Sequence, residues 1–156
     1  MSSPNAGKGI AEMDPIYADT SALVKYYYPE PESDLVEAAL IGADRVLVSH
    51  LSVVEFASAL GTKVRTGGLK KNEETTIWEA FQEDLQAGAM EMVDIDERHY
   101  TKAAGIVRRF AHGFAIKTLD ALHLAIVLDL GDCMMLSTDE TLVRVAGRLG
   151  IRRVRI

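Results

Sequence analysis

"IYADTSALVKYYYPE", residues 16–30, changes character partway along its length. "IYADT" is a short β-prone run, whereas "SALVKYYY" carries its apolar residues at helical spacing until Pro29 stops it. A strand thus runs straight into a helix, with Asp19 at the junction. The same unit recurs along the chain. "RVLVS" (45–49) leads to "LSVVEFASALGTKVRTGG", closed by Gly67 and Gly68, and "MEMVDI" leads to "DERHYTKAAGIVRRFAHG". "CMMLST" leads to "DETLVRVAGRLG", and "IRRVRI" reads as a terminal edge strand whose charges discourage aggregation. Further helices are expected over "PESDLVEAALIG", ended by Gly42, over the charged amphipathic "KKNEETTIWEAFQEDLQAG", and over "KTLDALHLAIVLDL", where Leu119, Leu122, Ala125, Ile126 and Leu130 recur at helical spacing as the core face of a well-buried amphipathic helix. Alternating strands and helices predict an α/β fold, a parallel sheet covered on both faces.

Composition sets the bounds. A chain of 156 residues, 48% hydrophobic and 26% charged, fits one domain with a core of ordinary size. All four prolines fall in the first 31 residues and the twelve glycines follow no period, so no internal linker or repeat is indicated. Residues 1–15 are small and polar and read as a flexible leader, leaving 16–156 as the folded domain. No apolar run reaches the roughly 18 residues that suggest a membrane span. Cys133, the only cysteine, suits a reducing cytoplasm. The 17 Lys+Arg against 23 Asp+Glu leave a net charge of −6, whereas nucleic-acid binders are more commonly basic.

The acidic residues are placed in a way that redirects that inference. Ligands of a parallel sheet bind in the crevice at the carboxyl ends of its strands. Asp19 ends the first strand, Glu55 lies in the early turns of the helix after the second, and Asp139 begins the helix after "MMLST". Asp120 joins them if the apolar helix that it opens enters from the same edge. Each has a local explanation: "SVVE" (52–55) matches a capping box, "STDE" (137–140) permits another through Glu140, and a first-turn Asp120 is favoured by the helix dipole by about 0.3–1 kcal/mol. Four acids converging from distant parts of the chain are harder to explain that way. Uncompensated, they would raise one another's pKa and destabilise the fold, a penalty that a hard divalent cation removes. Oxygen-only ligands suit Mg²⁺ or Mn²⁺, ions that retain water and bind phosphate, so metal-dependent hydrolysis of a nucleic acid is the expected reaction class.

"YADTSALVKYYYPEPES", "SHLSVVEFASAL", "LDALHLAIVL" and "LSTDETLVRVAGRLGI" resemble, in order and spacing, the four sequence blocks of PIN-domain ribonucleases, particularly the VapC toxins of prokaryotic toxin–antitoxin pairs. The likeness runs from about Ile16 to the end of the chain. It implies a three-layer α/β/α sandwich around a parallel sheet, and a Mg²⁺- or Mn²⁺-dependent endoribonuclease acting on RNA in the cytoplasm. Its acidic quartet would be Asp19, Glu55, Asp120 and Asp139, with Asp19 and Asp120 as direct metal ligands and with Ser21 and Thr138 at the small hydroxyl positions that support the site. The partners implied are a VapB-like antitoxin and, in a homodimer, a second copy of the chain.

Other residues are read more plainly. His123 is expected to be a hydrogen-bonded packing residue, His50 has no assigned role, and Asp96 is a natural helix cap beside Asp94. Lys25, Lys63, Arg65, Lys70, Lys71 and Lys117 are candidates for meeting substrate phosphate. Competing readings are a silent PIN-fold binding module, a PIN nuclease of RNA processing or DNA repair, and a phosphoryl-transfer or receiver domain. A dehalogenase-type phosphoryl-transfer site would want an Asp where Ser21 stands, and a receiver domain would want adjacent acids that are missing.

Overall fold

The computed structural model describes residues 14–156, so the expected leader, apart from Asp14 and Pro15, lies outside the described residues. The element order is β1 (Ile16–Ala18), α1 (Thr20–Tyr27), α2 (Ser33–Gly42), β2 (Val46–Ser49), α3 (His50–Arg65), α4 (Lys71–Gln86), β3 (Glu91–Val93), α5 (Glu97–Phe110), α6 (Thr118–Leu130), β4 (Met134–Leu136) and α7 (Glu140–Arg148). The strands pair in the order β3-β2-β1-β4, all parallel. β1 therefore lies inside the sheet, and its carboxyl end opens at the centre of one edge.

Successive side chains of these short strands enter opposite cores. Tyr17, Leu47 and Met135 pack on one face with α5, α6 and α7, while Ile16, Ala18, Val48 and Leu136 pack on the other with α1 to α4. Helices on both sides of one parallel sheet make the expected three-layer sandwich. Both strand faces are covered, which is why the strands read as apolar runs without alternation.

Two expectations are corrected. "IRRVRI" is not a strand: it makes one parallel bridge, Met135 to Arg153, with Met135 N–H donating to the Arg152 carbonyl and Val154 N–H to that of Met135. Arg152 is instead tied to Asp14 at 2.7 Å and to Asp132 at 2.9 Å, which fixes the chain end across the foot of β4. α6 is also not amphipathic in the expected sense. Residues 121–127 are all buried, whereas Leu119, expected in the core, is 41% exposed. A helix enclosed on every side is apolar all round, so no stripe marks its inner face.

α6 stops abruptly. Gly131 adopts φ 74° and ψ −80°, a γ-turn in which Asp132 N–H donates to the Leu130 carbonyl at 3.0 Å. A Cβ at this position would meet no atom within 4 Å, so any cost of adding one is backbone strain alone. Gly131→Ala is expected to lose about 1–3 kcal/mol of stability, seen as a lower urea midpoint at unchanged slope.

Candidate active site

The sheet edge where β1, β2 and β4 end carries the expected acids. Asp19 directly follows β1 and caps α1, its Oδ1 accepting from Ala22 N–H at 3.1 Å. Ser21 Oγ donates to the same oxygen at 2.7 Å, and Ser137 Oγ donates to Oδ2 at 2.6 Å. The residue is 4% exposed. Burial pushes its carboxyl above the usual Asp range, and the three hydrogen bonds only partly offset this.

Glu55 lies on α3, whose orientation is fixed by the next residue: Phe56 is fully buried among Tyr27, Trp78 and Phe81, with its ring centroid 4.7 Å from that of Phe81. The capping-box reading of Glu55 does not hold. α3 begins at His50, and Glu55 Oε1 instead accepts from Thr20 Oγ1 at 2.9 Å and pairs with His123 Nε2 at 2.5 Å. Burial raises the Glu55 carboxyl, but the hydrogen bond and charge of His123 and the Thr20 bond outweigh it and hold the group below the usual range.

Asp120 and Asp139 each retain a local role. Asp120 Oδ2 accepts from Lys117 N–H at 3.0 Å, capping its own helix as local reading allowed. Burial raises its carboxyl, the Lys117 bond lowers it and the charge of Asp139 raises it again, with a net upward shift. Asp139 caps α7 through Leu142 N–H at 2.9 Å, whereas Glu140 makes no cap.

The four acids line a single cavity of about 670 Å³, together with Ser21, Lys117 and His123. Among the described residues, no Lys or Arg pairs with Asp19, Asp120 or Asp139, and Glu55 pairs only with His123. Nor do any three His, Cys, Asp or Glu side chains of the described residues close on one point as a finished metal cage. The arrangement is an open acidic pocket. Asp19 uses three of about four lone-pair sites, and in Glu55 and Asp120 one oxygen of each takes all the hydrogen bonds found among the described residues. Such oxygen-only, half-engaged carboxylates fit an ion that keeps several waters and takes one or two protein ligands.

Other residues fall differently. Ser21 Oγ bonds the Asp19 carboxylate, whereas Thr138 enters through its backbone N–H, which donates to Ser21 Oγ at 2.9 Å. The second hydroxyl on Asp19 is that of Ser137, which sequence reasoning passed over although it directly follows β4 and precedes Thr138. Thr20, Tyr17 and the His123–Glu55 pair were also missed. Of the six candidate bases only Lys117 lines the cavity; Lys25 and Lys63 pair with Glu30, and Lys71 with Glu74. Asp96 caps α5 as expected, and Asp94 bonds the exposed His50 at 3.1 Å.

A sequence model of the PIN domain matches residues 16–148. No curated protein gives a significant match. Solved structures similar to this chain include FitAcB from Neisseria gonorrhoeae, at 18% identity and TM-score 0.68, covering 90% of this chain and 96% of that one. VapC20 of Mycobacterium tuberculosis, a toxin that cleaves the sarcin–ricin loop, gives 13% and 0.68, covering 90% and 99%. DNA-bound VapBC of Salmonella typhimurium gives 17% and 0.63, covering 91% and 98%. At these identities the likeness is one of fold.

Proposed function

Since the chain belongs to the PIN domain family, we propose that it is a Mg²⁺- or Mn²⁺-dependent endoribonuclease, the toxin of a toxin–antitoxin pair. The observation that carries this reading is the pocket itself: Asp19, Glu55, Asp120 and Asp139 gathered with no basic side chain of the described residues, other than His123 on Glu55, paired to them. Such a cluster is costly unless something positive completes it.

In this reading Asp19 and Asp120 hold the ion directly, and Glu55 and Asp139 complete its surroundings. A bound divalent ion would supply an activated water and charge neutralisation on the phosphodiester during in-line displacement. Everything else falls to the chain. Ser21 and Ser137 fix both oxygens of Asp19, which leaves that carboxylate almost no freedom to turn. The cap from Lys117 N–H restrains Asp120, and Lys117, which lines the cavity, would meet a substrate phosphate with its ammonium. The negative charge of the pocket would draw the cation, and the cation would meet the RNA phosphate in place of a general basic surface.

An antitoxin fits the same opening. Val54, 71% exposed, and Leu119, 41% exposed, line the cavity beside Val24 and Ala59, with the carboxylates below them. A segment with apolar side chains on this lip could direct an Arg toward Asp19 and Asp120, where its planar fork pairs with carboxylate. The solved structures of similar fold named FitAB, FitAcB and VapBC each join two components in their names, and three of them, one FitAB and two VapBC, are described as bound to DNA.

The test is cleavage of structured RNA by purified protein. Activity should require Mg²⁺ or Mn²⁺ and stop with EDTA, while single- and double-stranded DNA of the same sequences should remain intact. Cleavage indifferent to EDTA would reject the metal reading, and preference for DNA would move the protein to the repair class.

A further inference from the structure

His123 is expected from sequence to be a packing residue, and its burial bears that out, since it is 2% exposed. Its contacts go further. Nε2 lies 2.5 Å from Glu55 Oε1, across 68 residues of sequence, and Nδ1 lies 2.6 Å from the Tyr17 hydroxyl. That hydroxyl is also 3.0 Å from Ser49 Oγ, and the Tyr17 and His123 rings pack with centroids 5.8 Å apart. Tyr17, Ser49 and His123 are all buried, so this row of polar groups runs from the core to the cavity wall, where Glu55 stands.

The chemistry of the row has a direction. An ionised carboxylate only accepts, so Nε2 must carry the proton in its bond to Glu55. Nδ1 bonds the Tyr17 hydroxyl, accepting from it in the neutral ring and donating to it when both ring nitrogens carry protons, so either form is held in place. Burial drives the Tyr17 phenol far above its usual pKa, so it keeps its proton at any physiological pH. Thr20 Oγ1 donates to the same Oε1 that His123 binds. Among the described residues nothing pairs with Oε2, the oxygen left for a ligand in the pocket.

We propose that His123, held by the Tyr17 hydroxyl, is a positioning residue that fixes the Glu55 carboxylate for the pocket. The role rests on the metal-site reading above and adds to it the device that sets one of the ligands. It also accounts for the sequence "LDALHLA". Asp120 and His123 are three residues apart on α6, hence on one face of the helix, so one buried element places one carboxylate directly and a second through an imidazole. Groups that orient a ligand from behind typically change metal affinity or activity 10–100-fold when removed.

The experiment is a double-mutant cycle on the full chain, read by Mn²⁺ affinity of the RNA-free protein, by kcat and KM for RNA, and by thermal melting. Tyr17→Phe keeps the ring in the core and removes only the hydroxyl. His123→Leu removes the donor, and His123→Gln returns an N–H to it. Tyr17→Phe and His123→Leu should each weaken Mn²⁺ binding and lower kcat by roughly tenfold or more with KM little changed, and His123→Gln should recover most of the loss. In a Glu55→Ala background neither should have a further effect. The positioning role is overturned if the losses multiply in that background, or if Mn²⁺ affinity is unchanged and lost activity follows lost folding. Should His123→Leu not fold, the Tyr17→Phe arm decides alone. Failure of the wild type to cleave RNA would instead reject the nuclease reading, while the Mn²⁺ arms still read the orientation of Glu55.

Discussion

Asp19→Asn is expected to reduce RNA cleavage about a thousandfold while leaving the fold intact. The charge of a buried ligand is removed at nearly constant volume, and losing several kcal/mol of charge stabilisation corresponds to about three powers of ten in rate. Two of the three local hydrogen bonds survive, since an Asn oxygen can still accept from Ser21 and Ala22 N–H, and the third reverses, the amide donating to Ser137 Oγ. In metal-free buffer the variant should be the more stable protein. Burial raises the Asp19 carboxyl, so the folded state binds that proton more tightly than the unfolded chain. Linkage then makes the ionisation of Asp19 destabilising as pH rises above the unfolded Asp value of about 3.9. The melting-temperature advantage of Asp19→Asn should therefore be absent near pH 4 and grow toward neutrality, as scanning calorimetry with EDTA across that range would show. Glu55, held below its usual range, acts in the opposite sense and loses its contribution as pH falls. Comparing wild type with the single variant at each pH cancels it.

Adding the ion should have the second largest effect. Binding to the folded state alone at 100 times Kd contributes about 2.7 kcal/mol, or about 5–10 °C in Tm for a chain of this length. The shift should reverse with EDTA, shrink strongly in Asp19→Asn and Asp120→Asn, and fade as pH falls, starting above the usual Asp value of about 3.9 because burial raises both Asp19 and Asp120. A shift equal in wild type and both variants would place the ion elsewhere.

Much of this site was legible before any coordinates because its parts are tied to local patterns. Asp19 and Asp139 follow strands and Asp120 opens a helix, so periodicity alone puts them at the ends of elements, and the parallel order puts those ends on one edge. The linkages between elements were not legible. Glu55 and His123 lie 68 residues apart, and Ser137 and Asp19 lie 118 apart, so only the packing of α3 and α6 and the pairing of β1 with β4 bring them together. Local rules even pointed the wrong way at Glu55, where a plausible capping box stood in for a contact with Thr20 and His123. Burial misled at α6 for a related reason. With seven successive residues enclosed, hydrophobicity carries no phase, and Leu119 looked like core although it forms the lip of the pocket. The terminal "IRRVRI" makes a single bridge to β4 rather than a strand, with the Arg152 side chain held by Asp14 and Asp132.

Whether these acids form one divalent-metal site is read by the anomalous scattering of Mn²⁺ in a crystal of the wild-type protein. A peak is expected in the Asp19–Asp120 pocket within coordinating distance of both carboxylates, absent from Asp19→Asn under the same conditions. A peak outside that pocket, or an empty pocket in crystals of protein that cleaves RNA with Mn²⁺, would contradict a metal site there.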